Sequence, residues 1–406
     1  MDETFYQYIP RNSYIERIRP FMGSHIIKVL VGQRRVGKSY ILFQLMDEIR
    51  KDDGEANLVY INTELVEFRD LKTHVDLYDF VAAHLVAGKP NYVFIDEIQE
   101  IAEFERAVKS LFAEDRADLY ITGSNSHLVS GNLATFLAGW YIQFQIHPLG
   151  YGEFLTFHGR EDNGESLRKY LRIGGMPYLA SMPGGENQAF EYLKNVYESI
   201  LLRDVVAREN IRNIRFIENL TAYLADNTGN ICSANIISKY LKNQRDAMPV
   251  QTVISYLTAL EKSFLINKVH RREAAGLKIF EIGEKYYFED MGLRNILTKN
   301  ALPQDTGKLV ECAVYLFLVQ QGFTVYVGKD GDAEIDFIAE KQDERIYVQA
   351  AWRADTEQTY AREFGNLEAI KDNYPKYVVT LDEDIMNKNP QGIRHVSLRE
   401  FLLWDL

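Results

Sequence analysis

Short apolar runs recur through the first third of the chain, separated by stretches with helical periodicity. Runs of about four to eight β-branched and aromatic residues are typical of buried strands, whereas apolar residues three and four positions apart indicate amphipathic helices. Strands that alternate with helices predict a parallel α/β sheet. The predicted strands are 26–31, 57–62, 91–96, 118–125 and 141–146, and the clearest helices are 40–50, 74–86 and 151–158.

The loop after the first predicted strand carries a phosphate-binding motif. Residues 32–39 read GQRRVGKS and match G-x-x-x-x-G-K-[ST] at every fixed position. A strand precedes the loop and a helix follows it, so free N–H groups and the positive end of the helix dipole face the loop. A glycine-rich turn that occurred by chance would not need the preceding strand, the Lys-Ser pair and the following helix. We predict that ATP binds through Gly32, Gln33, Arg34, Arg35, Val36, Gly37, Lys38, Ser39 and Tyr40.

Four side chains of this region have predicted roles in chemistry. Lys38 is expected to reach the β- and γ-phosphates, and the Ser39 hydroxyl is expected to bind Mg²⁺. The third predicted strand ends in Asp96 and Glu97, at the edge of the sheet where α/β proteins bind ligands. We predict that Asp96 holds Mg²⁺ through its water shell and that Glu97 polarises the water that attacks the γ-phosphate.

The polar end of the fourth predicted strand supplies another catalytic candidate. Asn125, or failing that Ser124, can bond the γ-phosphate or the attacking water. This arrangement is typical of P-loop ATPases that use a catalytic glutamate. A GTPase would need a guanine-reading Asn-Lys-x-Asp, and residues 387–389 read Asn-Lys-Asn instead. A small-molecule kinase is the weaker interpretation, because the sequence shows no constellation that would bind an acceptor.

A set of short motifs lies at 33–39, 95–99, 121–126, 147–149, 174–177, 202–204 and 285–292. Together they resemble the prokaryotic AAA-type ATPases that carry a DUF4143 C-terminal region. The resemblance covers nearly the whole chain and implies an ATP hydrolase that uses Mg²⁺. That family usually has Gly-Arg before its fifth strand, whereas Trp140 follows Gly139 here. If the family arginine senses the γ-phosphate, Arg35 or Arg203 must substitute for it, or hydrolysis would be slow.

The sequence predicts four segments of an α/β protein. The first, 1–165, is a P-loop ATPase core with a parallel sheet. Residues 166–212 are mostly helical and are predicted to form a lid. Within this lid Arg203 is the best candidate for an arginine finger, and a surface ion pair is its more ordinary interpretation. Residues 213–298 and 299–406 are predicted to form a winged helix and a restriction-endonuclease-like α/β domain.

The predicted winged helix consists of helices 234–242 and 250–262 and a hairpin around 274–276. Residues 205–300 carry 14 Lys and Arg against 10 Asp and Glu, a local excess of positive charge. We therefore predict contact with duplex DNA through 249–282, and packing against the ATPase alone is the alternative. The groove-facing residues would be Gln251, Thr252 and Ser255, and the phosphate contacts Lys268, Arg271 and Arg272.

The C-terminal segment resembles the PD-(D/E)xK nucleases but lacks part of their site. Glu311 and Asp336 supply carboxylates, whereas the expected Glu-x-Lys is replaced by Gln-Ala-Ala at 349–351. Without a third carboxylate and a lysine, the site can neither hold Mg²⁺ well nor orient water. We predict that nuclease activity is absent and that the fold serves to bind a protein partner. Lys341, in the preceding loop, is the one residue that can stand in for the missing lysine.

Length and charge set the remaining expectations. The chain has 406 residues, a net charge of −12 and two cysteines, each in an apolar setting. No apolar run approaches the roughly 18 residues of a membrane helix, so we expect a cytoplasmic protein without a membrane partner, and an oligomer is possible. The predicted function is a Mg²⁺-dependent ATPase switch linked to DNA. The alternative is an ATP-gated protein-interaction scaffold without nucleic acid.

Overall fold

A parallel sheet of five strands forms the centre of the nucleotide-binding part of the chain. Strand β1 (Ile27–Val31) pairs with β4 (Asp118–Gly123) on one side and with β5 (Tyr141–Gln145) on the other. Beyond β4 lie β3 (Asn91–Asp96) and β2 (Asn57–Asn62), and all pairings are parallel. The predicted parallel α/β sheet is therefore confirmed, and each predicted strand lies within about two residues of its observed bounds.

Helices cover both faces of this sheet. Alternate residues of β1 enter opposite cores, with Val29 in one and Leu30 in the other. The core around Leu30 includes α1 (Asn12–Ile18) and α2 (Lys38–Asp52). The core around Val29 includes two further helices, α3 (His74–His84) and α4 (Phe104–Ala113). Burial on both faces explains why the strands are almost continuously apolar.

The computed structural model describes residues 8–126, 128, 137, 139–243, 248–273, 279–298, 305–330, 333–353, 357–382 and 392–404. The chain divides into two compact units. The first contains Met1–His147 and Lys262–Phe264, and the second contains Pro148–Glu261 and Leu265–Leu406. None of the helices in this described part is long and apolar enough to cross a membrane.

The N-terminal stretch of the first unit ends at His147, whereas the sequence predicts a boundary at residue 165. The reason is that Leu149, Tyr151 and Phe154 pack into the large core of the second unit. That unit begins with a series of helices and one stretch of π-helix, Ile200–Ala207. The α-helices before and after this stretch are α5 (Tyr151–His158), α6 (Gly164–Ile173), α7 (Glu186–Ser199), α8 (Ile214–Asp226), α9 (Ala234–Asn243) and α10 (Val250–Lys262).

A mixed sheet of seven strands forms the rest of the second unit, in the order β12-β11-β10-β9-β8-β6-β7. The strands are β6 (Ile266–Glu273), β7 (Ile279–Phe288), β8 (Thr324–Asp330), β9 (Ala333–Lys341), β10 (Glu344–Ala351), β11 (Lys376–Thr380) and β12 (Ile393–Ser397). The helices are α11 (Met291–Leu297), α12 (Thr306–Gln320), α13 (Glu357–Ala369) and α14 (Leu398–Phe401).

This sheet crosses the predicted boundary between residues 298 and 299. Strand β6 pairs in parallel with β8, so the predicted winged-helix hairpin and the predicted C-terminal domain share one hydrogen-bonded sheet. The chain pattern alone favours two domains, because a pairing between distant strands leaves no local signal. The hairpin itself is confirmed, since β6 and β7 pair antiparallel, but its predicted tip at 274–276 lies outside the described residues.

Asp290 joins α11 to the loop that follows α6. Its Oδ1 accepts a hydrogen bond from the N–H of Leu293 at 2.9 Å, and its Oδ2 accepts one from the N–H of Gly175 at 2.7 Å. At Gly292 a Cβ would lie 2.1 Å from the carbonyl oxygen of Ile173, so only glycine permits this approach. Burial raises the pKa of Asp290 to about 6 although backbone N–H groups favour its charged form. Two separated motifs, at 174–177 and 285–292, therefore meet at one carboxylate.

We expect Asp290→Ala to destabilise the second unit by about 2–5 kcal/mol, because two buried N–H groups would lose their acceptor. The matched control is Asn213→Ala, which removes the half-buried cap of α8 that accepts from the N–H of Phe216. Loss of a helix cap costs about 1 kcal/mol. Chemical denaturation of both variants measures the difference, and equal losses would show that Asp290 is only a helix cap.

Candidate functional site

The phosphate-binding motif forms the turn between β1 and α2. Gly32 has φ +155°, and a Cβ there would lie 2.2 Å from the carbonyl oxygen of Ile146. Gly37 precedes the first residue of α2 and is left-handed, with φ +95°. Glycine adopts this conformation without steric cost, so the turn can present its backbone N–H groups at the start of the helix. The local sequence therefore forms a glycine turn at the start of α2, and anion binding by this turn stays a prediction.

The ammonium group of Lys38 lies inside this turn. Lys38 is 4% exposed, and its Nζ donates hydrogen bonds to the carbonyl oxygens of Gly32 at 3.1 Å and Gln33 at 3.2 Å. The same Nζ lies 3.5 Å from Oε1 of Glu97. A buried positive charge is thus held between backbone dipoles and one carboxylate.

Asp96, at the end of β3, is fully buried in a polar cluster. Its Oδ1 accepts a hydrogen bond from the Thr122 hydroxyl at 2.5 Å, and its Oδ2 accepts one from the Tyr60 hydroxyl at 3.0 Å. The Ser39 hydroxyl also donates to this carboxylate. Burial raises the pKa of Asp96, and the hydrogen bonds from Ser39 and Thr122 oppose that shift. The cluster joins a carboxylate and a hydroxyl, which are ligand types that Mg²⁺ prefers.

Glu97 follows Asp96 in a left-handed conformation, with φ +54°. Its N–H donates to the Thr122 hydroxyl at 3.0 Å, so one threonine on β4 fixes both neighbouring acidic residues. The side-chain amide of Gln99 donates to Glu97 Oε2. Burial by itself would raise the pKa of Glu97, but the Lys38 charge and the Gln99 hydrogen bond lower it below its ordinary value. The carboxylate is therefore ionised and able to accept a proton at neutral pH.

The remaining residues predicted in the loop point in different directions. Gln33 and Val36 are fully buried in the protein. Arg34 pairs with Glu64, with 3.1 Å between Nη1 and Oε1. Arg35 is exposed and has φ +73°, and half of the Tyr40 side-chain surface is exposed.

Two further predicted catalytic residues lie on different units. Asn125 and Ser124 follow β4 and are buried, 2% and 0% exposed. Strand β4 neighbours β3, so these side chains lie at the strand edge that carries Asp96. Arg203 belongs to the second unit, on the π-helix, and its role as an arginine finger stays a prediction.

Trp140 lies at the end of the sheet opposite the phosphate-binding turn. Its carbonyl oxygen accepts a hydrogen bond from the N–H of Ile27, the first residue of β1, whereas the turn follows the last residue. The Trp140 ring stacks on Phe112 with 5.3 Å between centroids. Position 140 therefore directly precedes the parallel strand β5, and the substitution of Arg35 or Arg203 for the family arginine stays a prediction.

Arg11 supports the turn from the N-terminal segment, and sequence reasoning missed it. Its Nη1 donates to the carbonyl oxygens of Val36 at 3.1 Å and His147 at 2.9 Å. Tyr14 packs in the core around α1, and its hydroxyl accepts from the N–H of His147 at 3.0 Å. Tyr14 and Arg11 are thus buried structure beside the turn, and an arginine close to aromatic residues near the N-terminus was the signal that could have found this support.

The predicted nuclease-like carboxylates lie around a buried lysine. The ammonium of Lys285, on β7, donates to Glu311 Oε1 at 2.8 Å and lies 2.8 Å from Glu334 Oε1 and 3.6 Å from Asp336 Oδ1. Burial would lower the pKa of Lys285, but the surrounding carboxylates raise it above its ordinary value. For Asp336, burial and Glu311 raise the pKa to about 8. A lysine from a distant strand therefore supplies the positive charge at the centre of this acidic cluster.

Lys341 does not join this cluster, so its predicted part as a replacement lysine is wrong. Its Nζ lies over the Phe323 ring, 5.4 Å from the centroid. Gln349 lies where predicted, and its Oε1 accepts a hydrogen bond from the N–H of Asp336 at 3.2 Å. The amide of Gln349 thus holds the backbone beside the cluster and brings no charge.

The basic residues predicted to contact DNA are largely engaged within the second unit. Arg272 is 5% exposed, with its guanidinium against Glu340 and 5.1 Å from the Tyr326 ring centroid. Lys268 pairs with Glu284 at 2.8 Å. The predicted phosphate contact by Arg272 is wrong, because β6 pairs with β8 and turns this side chain into the sheet.

Comparisons with known proteins agree with this geometry in part. A family model described as an AAA domain matches residues 24–155. A second model, described as a domain of unknown function (DUF8612), matches residues 164–304. The predicted DUF4143 region is therefore wrong, since the later motifs on which it rested lie in the range matched by DUF8612.

The chain is also similar to whole proteins. An uncharacterised protein of Haemophilus influenzae is 33% identical over 384 residues, which cover 92% of this chain and 93% of that one. An uncharacterised protein of Methanocaldococcus jannaschii is 29% identical over 328 residues, covering 77% and 71%. The structure of the Aeropyrum pernix ORC1 protein in complex with DNA has 10% identity and a TM-score of 0.32, covering 71% of this chain and 92% of that one. At that TM-score, nothing about DNA follows for this chain.

The sheet order, the phosphate-binding turn and the AAA-domain match define an AAA-type P-loop ATPase. Within that class the chain belongs to the family of the Haemophilus influenzae protein, which it matches over nearly its whole length.

We expect Lys285→Met to destabilise the second unit by about 3–5 kcal/mol, because the buried carboxylates would lose their counter-charge. Arg172→Met is the matched control in the same unit, since its pair with Glu186 is exposed and worth about 1 kcal/mol or less. Chemical denaturation at neutral pH measures both. If Lys285→Met is no more destabilising than the control, the cluster does not need its ammonium.

Proposed function

We propose that the protein is a Mg²⁺-dependent ATP hydrolase that works as a nucleotide-controlled switch. The observation that carries the proposal is the buried cluster of Lys38, Ser39, Asp96 and Glu97 at the carboxyl ends of β1 and β3. An ammonium, a hydroxyl and two acidic side chains meet there beside a helix N-terminus. These are the parts that binding and cleaving a phosphate anhydride requires.

Each residue of the cluster has a distinct part in this mechanism. ATP would be bound by the N–H groups of the turn, with Lys38 neutralising the β- and γ-phosphates. Ser39 and Asp96 would hold Mg²⁺, which supplies positive charge at the phosphate oxygens. Glu97 then accepts the proton of the water that attacks the γ-phosphorus, while the bond to the β–γ bridging oxygen breaks. Asn125, beside β3, is proposed to orient that water.

The contact between Lys38 and Glu97 has a consequence for the proposed hydrolysis of ATP. At 3.5 Å the ammonium and the carboxylate neutralise each other. When Lys38 turns to phosphates, Glu97 loses that partner and becomes a stronger base. Nucleotide binding therefore activates the residue that removes the proton, and it does so only when phosphate is present.

The second unit has two candidate partners, and the ion pairs favour a protein. Contact with duplex DNA needs cations that are free to neutralise phosphates. Lys268 and Arg272 are paired with carboxylates, whereas Gln251 and Ser255 on α10 remain exposed. Residues 301–406 carry 11 Lys and Arg against 19 Asp and Glu, which also opposes nucleic acid. We propose that this unit acts as a protein-interaction scaffold in a restriction-endonuclease-like fold without nuclease activity.

Nucleotide binding and turnover should separate by residue. Lys38→Ala should abolish ATP binding, because the buried positive charge is lost. Glu97→Gln should keep binding and lose turnover by at least roughly 10²-fold, the usual effect of removing one positioned base. Calorimetric binding and phosphate release measure the two effects. Arg69→Ala, an exposed residue on the same unit, is the control. Equal turnover in wild type and Glu97→Gln would remove Glu97 from the mechanism.

An experiment with duplex DNA distinguishes the two candidate partners of the second unit, DNA and protein. We expect neither a mobility shift nor cleavage when the protein is incubated with duplex, Mg²⁺ and ATP at low salt, since two of the three predicted phosphate contacts, Lys268 and Arg272, are paired with carboxylates. The DNA-linked switch would be supported instead if the protein binds duplex and the plot of log affinity against log salt concentration flattens by about 0.9 for each of Lys268, Arg271 and Arg272 that is removed. Cleavage that disappears in Asp336→Ala would show an active nuclease.

A further inference from the structure

A run of three residues belongs to the first unit although the chain on both sides builds the second. Lys262–Phe264 is part of the nucleotide-binding unit, and the flanking stretches Pro148–Glu261 and Leu265–Leu406 are not. Lys262 is the last residue of α10, and β6 begins at Ile266. These three residues are therefore described with the nucleotide-binding unit.

Phe264 anchors the segment in the first unit. Its side chain is 7% exposed and belongs to the core that includes Ile95 of β3 and Ile121 of β4. Its φ is +56°, a left-handed conformation that is uncommon for a bulky residue. Such backbone strain persists only where surrounding packing determines it, and strained residues cluster at functional sites.

The segment contacts the nucleotide site at two separate points. The Gln33 side chain, fully buried in the phosphate-binding turn, donates its Nε2 hydrogen to the carbonyl oxygen of Phe264 at 3.0 Å. The N–H of Ser126 donates to the carbonyl oxygen of Lys262 at 2.9 Å. Ser126 directly follows Asn125, which we propose to orient the attacking water. One short segment thus holds both the loop for the phosphates and the strand end for the water.

A continuous set of hydrogen bonds joins Lys38 to this segment. Lys38 Nζ donates to the carbonyl oxygen of Gln33 at 3.2 Å, and the side chain of Gln33 donates to Phe264. The Gln33 Oε1 has no hydrogen-bond partner among the described residues, so the contact to Phe264 alone fixes the amide. A Lys38 ammonium that turns to phosphates gives up the Gln33 carbonyl, which changes the hydrogen bonding of the residue that holds Phe264.

We propose that Lys262–Phe264 is a positioning segment for the nucleotide site. The inference rests on the proposed ATPase function and adds the segment that holds the phosphate-binding turn and the end of β4 in place. The segment is a positioning element and not a catalytic one, since it acts through Gln33 and Ser126.

The test combines one substitution with one measurement on the unaltered full-length chain. Gln33→Met keeps the shape of the buried side chain and removes the amide that donates to Phe264. We expect kcat for ATP to fall by roughly 10²-fold, as misplacement of a catalytic arrangement does. The affinity for ADP should change less than about threefold, because no phosphate contact is removed. Thr258→Ala, on the exposed face of α10, is the matched control and should turn over ATP at the wild-type rate.

Hydrogen exchange of the peptide spanning residues 260–266 supplies a readout that a merely structural role would not move. In the wild type, a non-hydrolysable ATP analogue with Mg²⁺ should change the exchange rate of this peptide, and in Gln33→Met the change should disappear. The inference is overturned if the wild type hydrolyses ATP but the exchange rate of the peptide does not change, or if the kcat of Gln33→Met is within threefold of wild type. Either result leaves the proposed ATPase function intact. If the wild type binds no ATP, the proposed function fails and the inference fails with it. If Gln33→Met folds poorly, the exchange measurement on the wild type still tests the inference.

Discussion

The buried ammonium of Lys38 is the charge on which the first unit depends. It lies in a turn that two glycines make possible, between the carbonyl oxygens of Gly32 and Gln33 and the carboxylate of Glu97. A charge in this position is costly to bury unless it is paired and hydrogen-bonded, and here it is both. We propose that the ammonium exchanges this carboxylate for phosphate when nucleotide binds, because both partners are anions. The ion pair of Lys38 and Glu97 therefore both stabilises the turn and takes part in the proposed chemistry.

The second unit uses a buried lysine in a different way. Lys285 lies among Glu311, Glu334 and Asp336. An ammonium held by carboxylates is fixed by the fold and cannot be exchanged for substrate without leaving their charge unbalanced. Lys38 thus lies in the turn where we propose that ATP binds, whereas Lys285 lies in a sheet that joins the hairpin of β6 and β7 to the C-terminal strands.

The parts of the fold that depend on neighbouring residues could be predicted from the sequence. The phosphate-binding turn and the strands around it follow from local motifs and apolar runs, and Asp96 and Glu97 are found because they end such a strand. Contacts between distant residues could not be predicted in this way. Lys285 in the acidic cluster, and Phe264 beside Gln33, come from tertiary pairing that leaves no periodic signal. Arg272 was misread for the same reason, since its burial follows from the pairing of β6 with β8.

The central claim is that the cluster at the carboxyl ends of β1 and β3 cleaves ATP with a metal ion held by Asp96. Phosphate release from ATP, followed in Mg²⁺ and then in excess chelator for wild type and Asp96→Asn, tests it most directly. The account predicts turnover by the wild type in Mg²⁺, none in chelator, and a loss of at least roughly 10²-fold in Asp96→Asn. Turnover that survives the chelator, or an Asp96→Asn variant as active as wild type, would contradict it.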